Sequence, residues 1–321
     1  MNRILIFVVF LLVPIALLTT PSKEEIALES DAEHSISFDM EVPNSSEEEN
    51  SSDEGVQVVL SYNQDETDAF TMDLEEYIIG VVAGEMPASF SMEALKAQAV
   101  ASRTFALYKM DSVQDYVLST TINDQVYITI DDMKEKWGDD FDYYYQRVHD
   151  AVLSTEGEVL TYQGAFASTY YFAISNGYTD DALTVFHEDK DYLVSVESSW
   201  DKNYKCYTST YTLSKESFCN KLGVSCETIS ISNVLRADNN YVRSIIINGT
   251  TFTGIQVFQK LNLKSTDFTI TLNGENVDIL TYGFGHGVGM SQYGAQGMAT
   301  EGATYQDILA HYYQNTEITK L

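Results

Sequence analysis

Asp73-Leu74-Glu75-Glu76-Tyr77-Ile78-Ile79-Gly80-Val81-Val82-Ala83-Gly84-Glu85-Met86-Pro87 is the stretch on which the fold turns. Asp73 carries the short polar side chain that caps a helix N-terminus, and Glu76 three residues later completes a capping-box-like arrangement. Leu74, Tyr77, Ile78, Val81 and Val82 recur at helical spacing and predict an apolar face. The helix ends around Gly84, and Pro87 pushes Met86 out of the α region. Glu85 is thereby left between a helix C-terminus and a proline-fixed turn, with apolar neighbours on both sides. A carboxyl group desolvated there has its pKa raised and holds a proton ready for a leaving group. An ordinary exposed loop glutamate is the plainer reading of the same residues.

Outward from this stretch, residues 56–62 and 69–72 read as strands that precede the helix. A second helix runs from about Ser91 to Met110, and its many alanines let another backbone pack closely. A third spans about 143–155 and stops at Gly157. A hairpin follows, from Glu158 to Tyr162, through a Gln163-Gly164 turn, then Ala165 to Ile174. Strand-like runs recur at 208–213, 242–247 and 268–272, the last with an Asn273-Gly274 turn, and a closing helix covers about 305–313. Helices at both ends with strands between predict an α+β fold. The 267 residues of 55–321 are enough for one large domain or for two lobes sharing an interface.

The N-terminal part sets the compartment. Ile4 to Leu18 is a nearly unbroken apolar run behind Arg3. It is short for a membrane span, for which ~20 residues are typical. No small-x-small cleavage site follows it, so residues 1–20 are expected to be a retained anchor, with a cleaved signal as the alternative. Arg3 favours an inside N-terminus, and both readings export the body. Residues 21–54 hold twelve Asp or Glu against Lys23 alone and read as a disordered acidic tether. The net charge of −30 argues against a nucleic-acid partner. Cys206, Cys219 and Cys226 allow one disulfide and one free thiol, with three pairings open.

Near the C-terminus, Gly283-Phe284-Gly285-His286-Gly287-Val288-Gly289-Met290-Ser291-Gln292-Tyr293-Gly294-Ala295 contains five glycines in thirteen residues. Such density signals unusual φ or close backbone approach, and the interleaved polar residues suggest part of a site. No P-loop lysine or acidic partner accompanies it, which excludes a nucleotide fingerprint. A histidine-centred metallohydrolase is a weak alternative, because no His-Glu-x-x-His-type spacing occurs.

The 74–87 block, followed by Ala94-Leu95-Lys96-Ala97-Gln98-Ala99-Val100-Ala101-Ser102-Arg103-Thr104, closely resembles the opening signature of the stage II sporulation protein D family. Asp124-Gln125-Val126-Tyr127 and the 285–295 loop are similar to later motifs of the same family, in the same order. The segment after Ala173 reads Ile-Ser-Asn-Gly-Tyr-Thr, where a Ser-x-Gly-Gly-type turn is the family pattern.

The resemblance implies a lytic transglycosylase that cleaves the bond between N-acetylmuramic acid and N-acetylglucosamine in glycan strands stripped of stem peptides. Its product carries a 1,6-anhydro-muramic end, and the family's catalytic glutamate falls on Glu85. Arg103 is expected to hold a sugar group or Glu85 itself, or to form a surface salt bridge. His286, Ser291, Gln292 and Tyr293 are expected to line the glycan cleft, and Tyr178 to offer a sugar platform. Tyr171 is a second candidate platform, with core packing the stronger reading. Some relatives carry zinc held by cysteine and histidine, but the cysteines here fall late and lack histidine at ligand spacing. No metal or cofactor is expected. Family membership implies a membrane-tethered role in engulfment during sporulation, beside a companion amidase and a membrane protein. The alternative is a non-catalytic wall-binding protein that enhances an amidase.

Overall fold

The computed structural model describes residues 55–62 and 68–321. The expected anchor and the whole of the expected tether lie outside these residues. Among the described residues no helix is long and apolar enough to cross a membrane.

Strands β1 (Gln57–Ser61) and β2 (Phe70–Asp73) pair antiparallel and lead into α1 (Leu74–Glu85). Asp73 caps α1 by accepting from the Glu75 and Glu76 N–H groups at 2.9 and 3.3 Å. The five predicted apolar-face residues are all buried, but so are Ile79, Gly80, Ala83 and Gly84. From Tyr77 onward α1 is enclosed all round, and only its first turn, at Glu75 and Glu76, reaches solvent.

Next come α2 (Met92–Ser112), β3 (Leu118–Ser119), α3 (Ile130–Trp137) and α4 (Phe141–Leu153). Buried Ala94, Ala97, Ala99, Ala101 and Ala106 make α2 slim enough to pack against α1 and α4. Strands β4 (Glu158–Tyr162), β5 (Ala165–Phe166) and β6 (Tyr171–Phe172) precede α5 (Ala182–Phe186). The predicted 165–174 strand is therefore two short strands. Then follow β7 (Thr208–Ser214), α6 (Lys215–Leu222), β8 (Ile231–Arg236), β9 (Val242–Ile247), β10 (Thr250–Thr253) and α7 (Gly254–Leu261). The chain closes with β11 (Phe268–Asn273), β12 (Asn276–Tyr282), β13 (Met290–Ser291), α8 (Gln292–Thr300), α9 (Tyr305–Tyr312) and β14 (Glu317–Lys320).

The strands form small sheets ordered β2-β1-β3, β14-β4-β5, β13-β6, β11-β12-β7 and β10-β9-β8. This is the α+β mixture the sequence predicts. The C-terminal strand β14 pairs antiparallel with β4, and α2 also packs on α8 and α9, so the two ends of the body share one core. Of the cysteines, Cys219 and Cys226 are joined and Cys206 is a free thiol.

Arg103 fastens this core, and it corrects the expectation of a sugar-binding or surface arginine. It is fully buried on α2. Its Nε and Nη2 both donate to the Glu75 carboxylate, while Nη1 and Nη2 reach the Glu158 and Val152 carbonyls at 3.0 and 3.3 Å. The guanidinium joins the start of α1 to the end of α4 and the start of β4. Removing one partner of such a pair strands a buried charge, which costs about 3–5 kcal/mol.

Candidate functional site

Two glycines one helical turn apart determine how the site is assembled. Gly80 and Gly84 lie on the same face of α1. A Cβ on Gly84 would stand 2.6 Å from the Val126 carbonyl oxygen, and one on Gly80 would stand 2.2 Å from the Tyr127 ring. Residues 126–128 therefore cross directly over α1, with the Ile128 N–H donating to the Gly80 carbonyl at 3.2 Å. The crossing brings the Val126 N–H to Glu85 Oε1 at 2.7 Å. Asp124 pins the same segment, accepting from the Ser119 N–H and the Tyr116 hydroxyl, both at 2.8 Å, and pairing with Lys109 at 3.1 Å.

Glu85 is the last residue of α1, and Met86 beyond it is extended at φ −126°, ψ 141°, as the proline demands. The carbonyl end of a helix supplies no free N–H groups and carries partial negative charge, so it disfavours a carboxylate. Glu85 is 5% exposed. Burial pushes its pKa up to about 7, against the opposing pull of the Val126 N–H, the Gln292 side chain, the Lys136 charge and the Tyr171 hydroxyl.

The C-terminal loop completes the surroundings. Gly283, Gly285, Gly287 and Gly289 all have positive φ, and a Cβ on Gly289 would stand 2.0 Å from the Tyr170 carbonyl oxygen. That close approach lets β13 lie parallel to β6. Ser291 caps α8 by accepting from the Gly294 N–H at 3.2 Å. Gln292, at the first position of α8, donates to the Glu85 carbonyl at 3.1 Å and to Gln98 Oε1 at 3.3 Å. Tyr171 donates to Gln125 Oε1 at 2.8 Å, and Gln125 donates to the Tyr77 hydroxyl at 3.2 Å. Motif blocks far apart in sequence thus meet at one carboxyl group.

The other expected contacts fall differently. His286 is buried, its Nδ1 accepting from the Val288 N–H at 3.0 Å and its Nε2 facing the Tyr171 carbonyl at 3.1 Å. Burial pushes its pKa down to about 3, so it is neutral. Ser291 is buried, with its hydroxyl donating to Asp201 Oδ1 at 2.6 Å. Tyr293 is buried edge-on against Phe90 and Tyr204 at ring-centre distances of 5.0 and 4.5 Å. These three side chains hold the loop's shape; their burial corrects the expectation that they face glycan. Tyr178 keeps 38% of its surface exposed.

Lys136 and Asp201 carried no signal in the sequence. Lys136, on α3, is an exposed residue, but its Nζ is tucked against α1, where it donates to the Ala83 carbonyl at 2.7 Å. Its pKa is lowered to about 8 by loss of solvation, opposed by the charge of Glu85. Asp201 gathers the Ser175 N–H and the hydroxyls of Ser175, Ser198 and Ser291. A cavity of about 420 Å³ lies beside Glu75, Glu76, Tyr145 and His149 at the opposite end of α1. Ten residues of helix, about 15 Å, separate Glu75 from Glu85.

Residues 62–162 match the family model described as Stage II sporulation protein. Stage II sporulation protein D of Bacillus subtilis (strain 168) is 42% identical over 255 residues, covering 77% of this chain and 74% of that relative. The chain belongs to the stage II sporulation protein D family. The Bacillus amyloliquefaciens protein of the same name is 41% identical, over 77% of this chain and 74% of its own. A more distant relative, named Amidase enhancer, from Bacillus subtilis (strain 168), is 28% identical over 75% of this chain and 40% of its own length. All four blocks that carry the family resemblance contribute residues around Glu85 or to the loop that packs on it.

Proposed function

We propose that this family member is a lytic transglycosylase acting on peptidoglycan glycan strands stripped of their stem peptides. One feature carries the reading: a glutamate at a helix C-terminus, buried among polar neighbours, whose carboxyl pKa is pushed up to about 7 by that burial. Glu85 protonates the glycosidic oxygen as the bond from N-acetylmuramic acid C1 breaks. The carboxylate so formed takes the proton of the muramic C6 hydroxyl, whose oxygen bonds to C1 of its own ring. Glu85 returns to its starting state, no water is consumed, and the product ends in 1,6-anhydro-muramic acid. One carboxyl group suffices for this sequence, whereas most glycosidases use a flanking pair. Tyr178 offers an exposed ring for a sugar face.

In this reading residues 1–20 anchor the chain with its N-terminus inside, 21–54 form an acidic tether, and 55–321 work outside the membrane. The setting is engulfment during sporulation, beside an amidase that frees the strands and a membrane partner. A non-catalytic amidase-enhancing role is the second reading, favoured by the relative named Amidase enhancer.

Mass spectrometry of peptide-free glycan strands incubated with the chain, beside Glu85→Gln, separates the two. Anhydro ends made by the wild type and lost in the variant are expected. Reducing ends would mean a hydrolase with a second carboxylate, and binding without cleavage would favour the enhancer.

A further inference from the structure

The cations on and around α1 and its neighbouring elements are engaged in different ways. Arg103 is buried against Glu75, and Lys109 is paired with Asp124. Arg147 donates to the carbonyls of Ala88 and Phe90 at 3.0 and 2.6 Å, holding the loop after Pro87. Lys136 differs. Among the described residues no carboxylate pairs with it, the residue is exposed, and its Nζ sits on the Ala83 carbonyl, two residues before Glu85. The same Nζ lies 5.8 Å from the centre of the half-buried Trp137 ring. An ammonium group beside an indole, next to a buried acid, is suited to a sugar that carries a carboxylate, since indoles stack on the apolar faces of sugar rings.

We infer that Lys136, with Trp137 beside it, forms a subsite for the free lactyl carboxylate of a muramic acid residue and selects peptide-free strands. The inference rests on the transglycosylase reading of Glu85. Its chemistry is simple: removal of a stem peptide turns a neutral lactyl amide into a carboxylate. A peptide-free strand is therefore a polyanion approaching a chain of net charge −30. Such a strand is repelled except where the protein presents a cation. Its Nζ rests on the Ala83 carbonyl, two residues before Glu85, so an anion bound there lies at the Glu85 end of α1.

The test uses the full-length chain in detergent and two substrates: peptide-free strands, and the same strands with their lactyl carboxylates converted to methyl amides. Binding is measured on the Glu85→Gln background and cleavage on the wild type, so that the subsite is judged even if cleavage fails. Free-acid strands are expected to bind about tenfold more tightly than amidated ones, the scale of one charged hydrogen bond. That preference falls with salt. Lys136→Gln abolishes it by weakening only free-acid binding, Lys136→Arg retains most of it, and Trp137→Ala weakens both strands alike. Retention of the full preference by Lys136→Gln, or no preference in the parent, would overturn the inference. Absence of cleavage by the wild type with the binding preference intact would instead sink the transglycosylase reading alone.

Discussion

Glu85 and Asp201 are both buried carboxylates whose pKa burial raises, to about 7 and about 6, yet they are built for different work. Asp201 has no exposed surface and collects one N–H and three serine hydroxyls, from residues 175, 198 and 291. Its Ser198 partner also meets the Tyr312 hydroxyl at 2.6 Å, which ties in α9. Asp201 is a knot between loops. Glu85 keeps 5% of its surface open, and sits at the donor-poor end of a helix with the Val126 N–H on one oxygen. Burial alone does not make an acid catalyst. An opening toward solvent, with donors too few to lock the charged form, separates Glu85 from Asp201.

The largest effect that would break this contrast is catalytic. Glu85→Gln should lower strand cleavage by about 10³-fold, within the range general acid–base groups supply, with the fold intact by circular dichroism. In the wild type the rate should fall as pH rises above about 7, because the first step needs the protonated acid. A flat profile from pH 6 to 9 would remove Glu85 from that role.

Asp201→Ala should be felt in stability instead. It leaves three buried hydroxyls and an N–H without their acceptor, and about 3 kcal/mol of unfolding free energy should be lost in a denaturant titration. A change under 1 kcal/mol would deny that Asp201 is a knot.

Glu85→Gln should have the opposite sign at neutral pH. A carboxyl whose folded pKa is raised contributes its full stability below its unfolded value near 4.5, and loses it as pH rises through about 7. The amide removes that loss. The variant should therefore match the wild type near pH 4 and exceed it at pH 8 by up to about 3 kcal/mol. Equal stability at both pH values would contradict the burial argument.

Gly84→Ala sharpens the comparison with a smaller effect. Its Cβ would stand 2.6 Å from the Val126 carbonyl oxygen, so the 126–128 crossing must shift. About 1–2 kcal/mol of stability should be lost, together with the Val126 N–H contact that draws the Glu85 pKa down. Unchanged thermal stability would mean the segment yields freely.

What the sequence revealed and what it hid follow from range. Helix α1 was legible because its cap and its apolar spacing are local, and the Pro87 effect on Met86 is local as well. Helix α3 has local signals, a Thr129–Asp132 capping box and Ile130, Met133 and Trp137 at helical spacing, but the stripe is only three residues long in an otherwise charged run and only Met133 is buried. Lys136 carries no signal of its own. Glu85 could be named from its neighbours, but the function of Gly80 and Gly84 depends on residues about forty positions away. Asp201 was invisible because two of its three serine partners lie 26 and 90 residues from it. The glycine-rich loop is tightly packed, as its composition predicts. Its polar side chains do not face outward: His286 bonds within the loop and Ser291 bonds to Asp201, both buried.

The most direct measurement is a carbon-detected NMR titration of the Glu85 carboxyl group in glutamate-labelled protein, with Glu85→Gln identifying the resonance. A midpoint near pH 7 is predicted. A midpoint near 4.5, the value of an ordinary glutamate, would contradict the claim that this fold holds Glu85 ready as an acid.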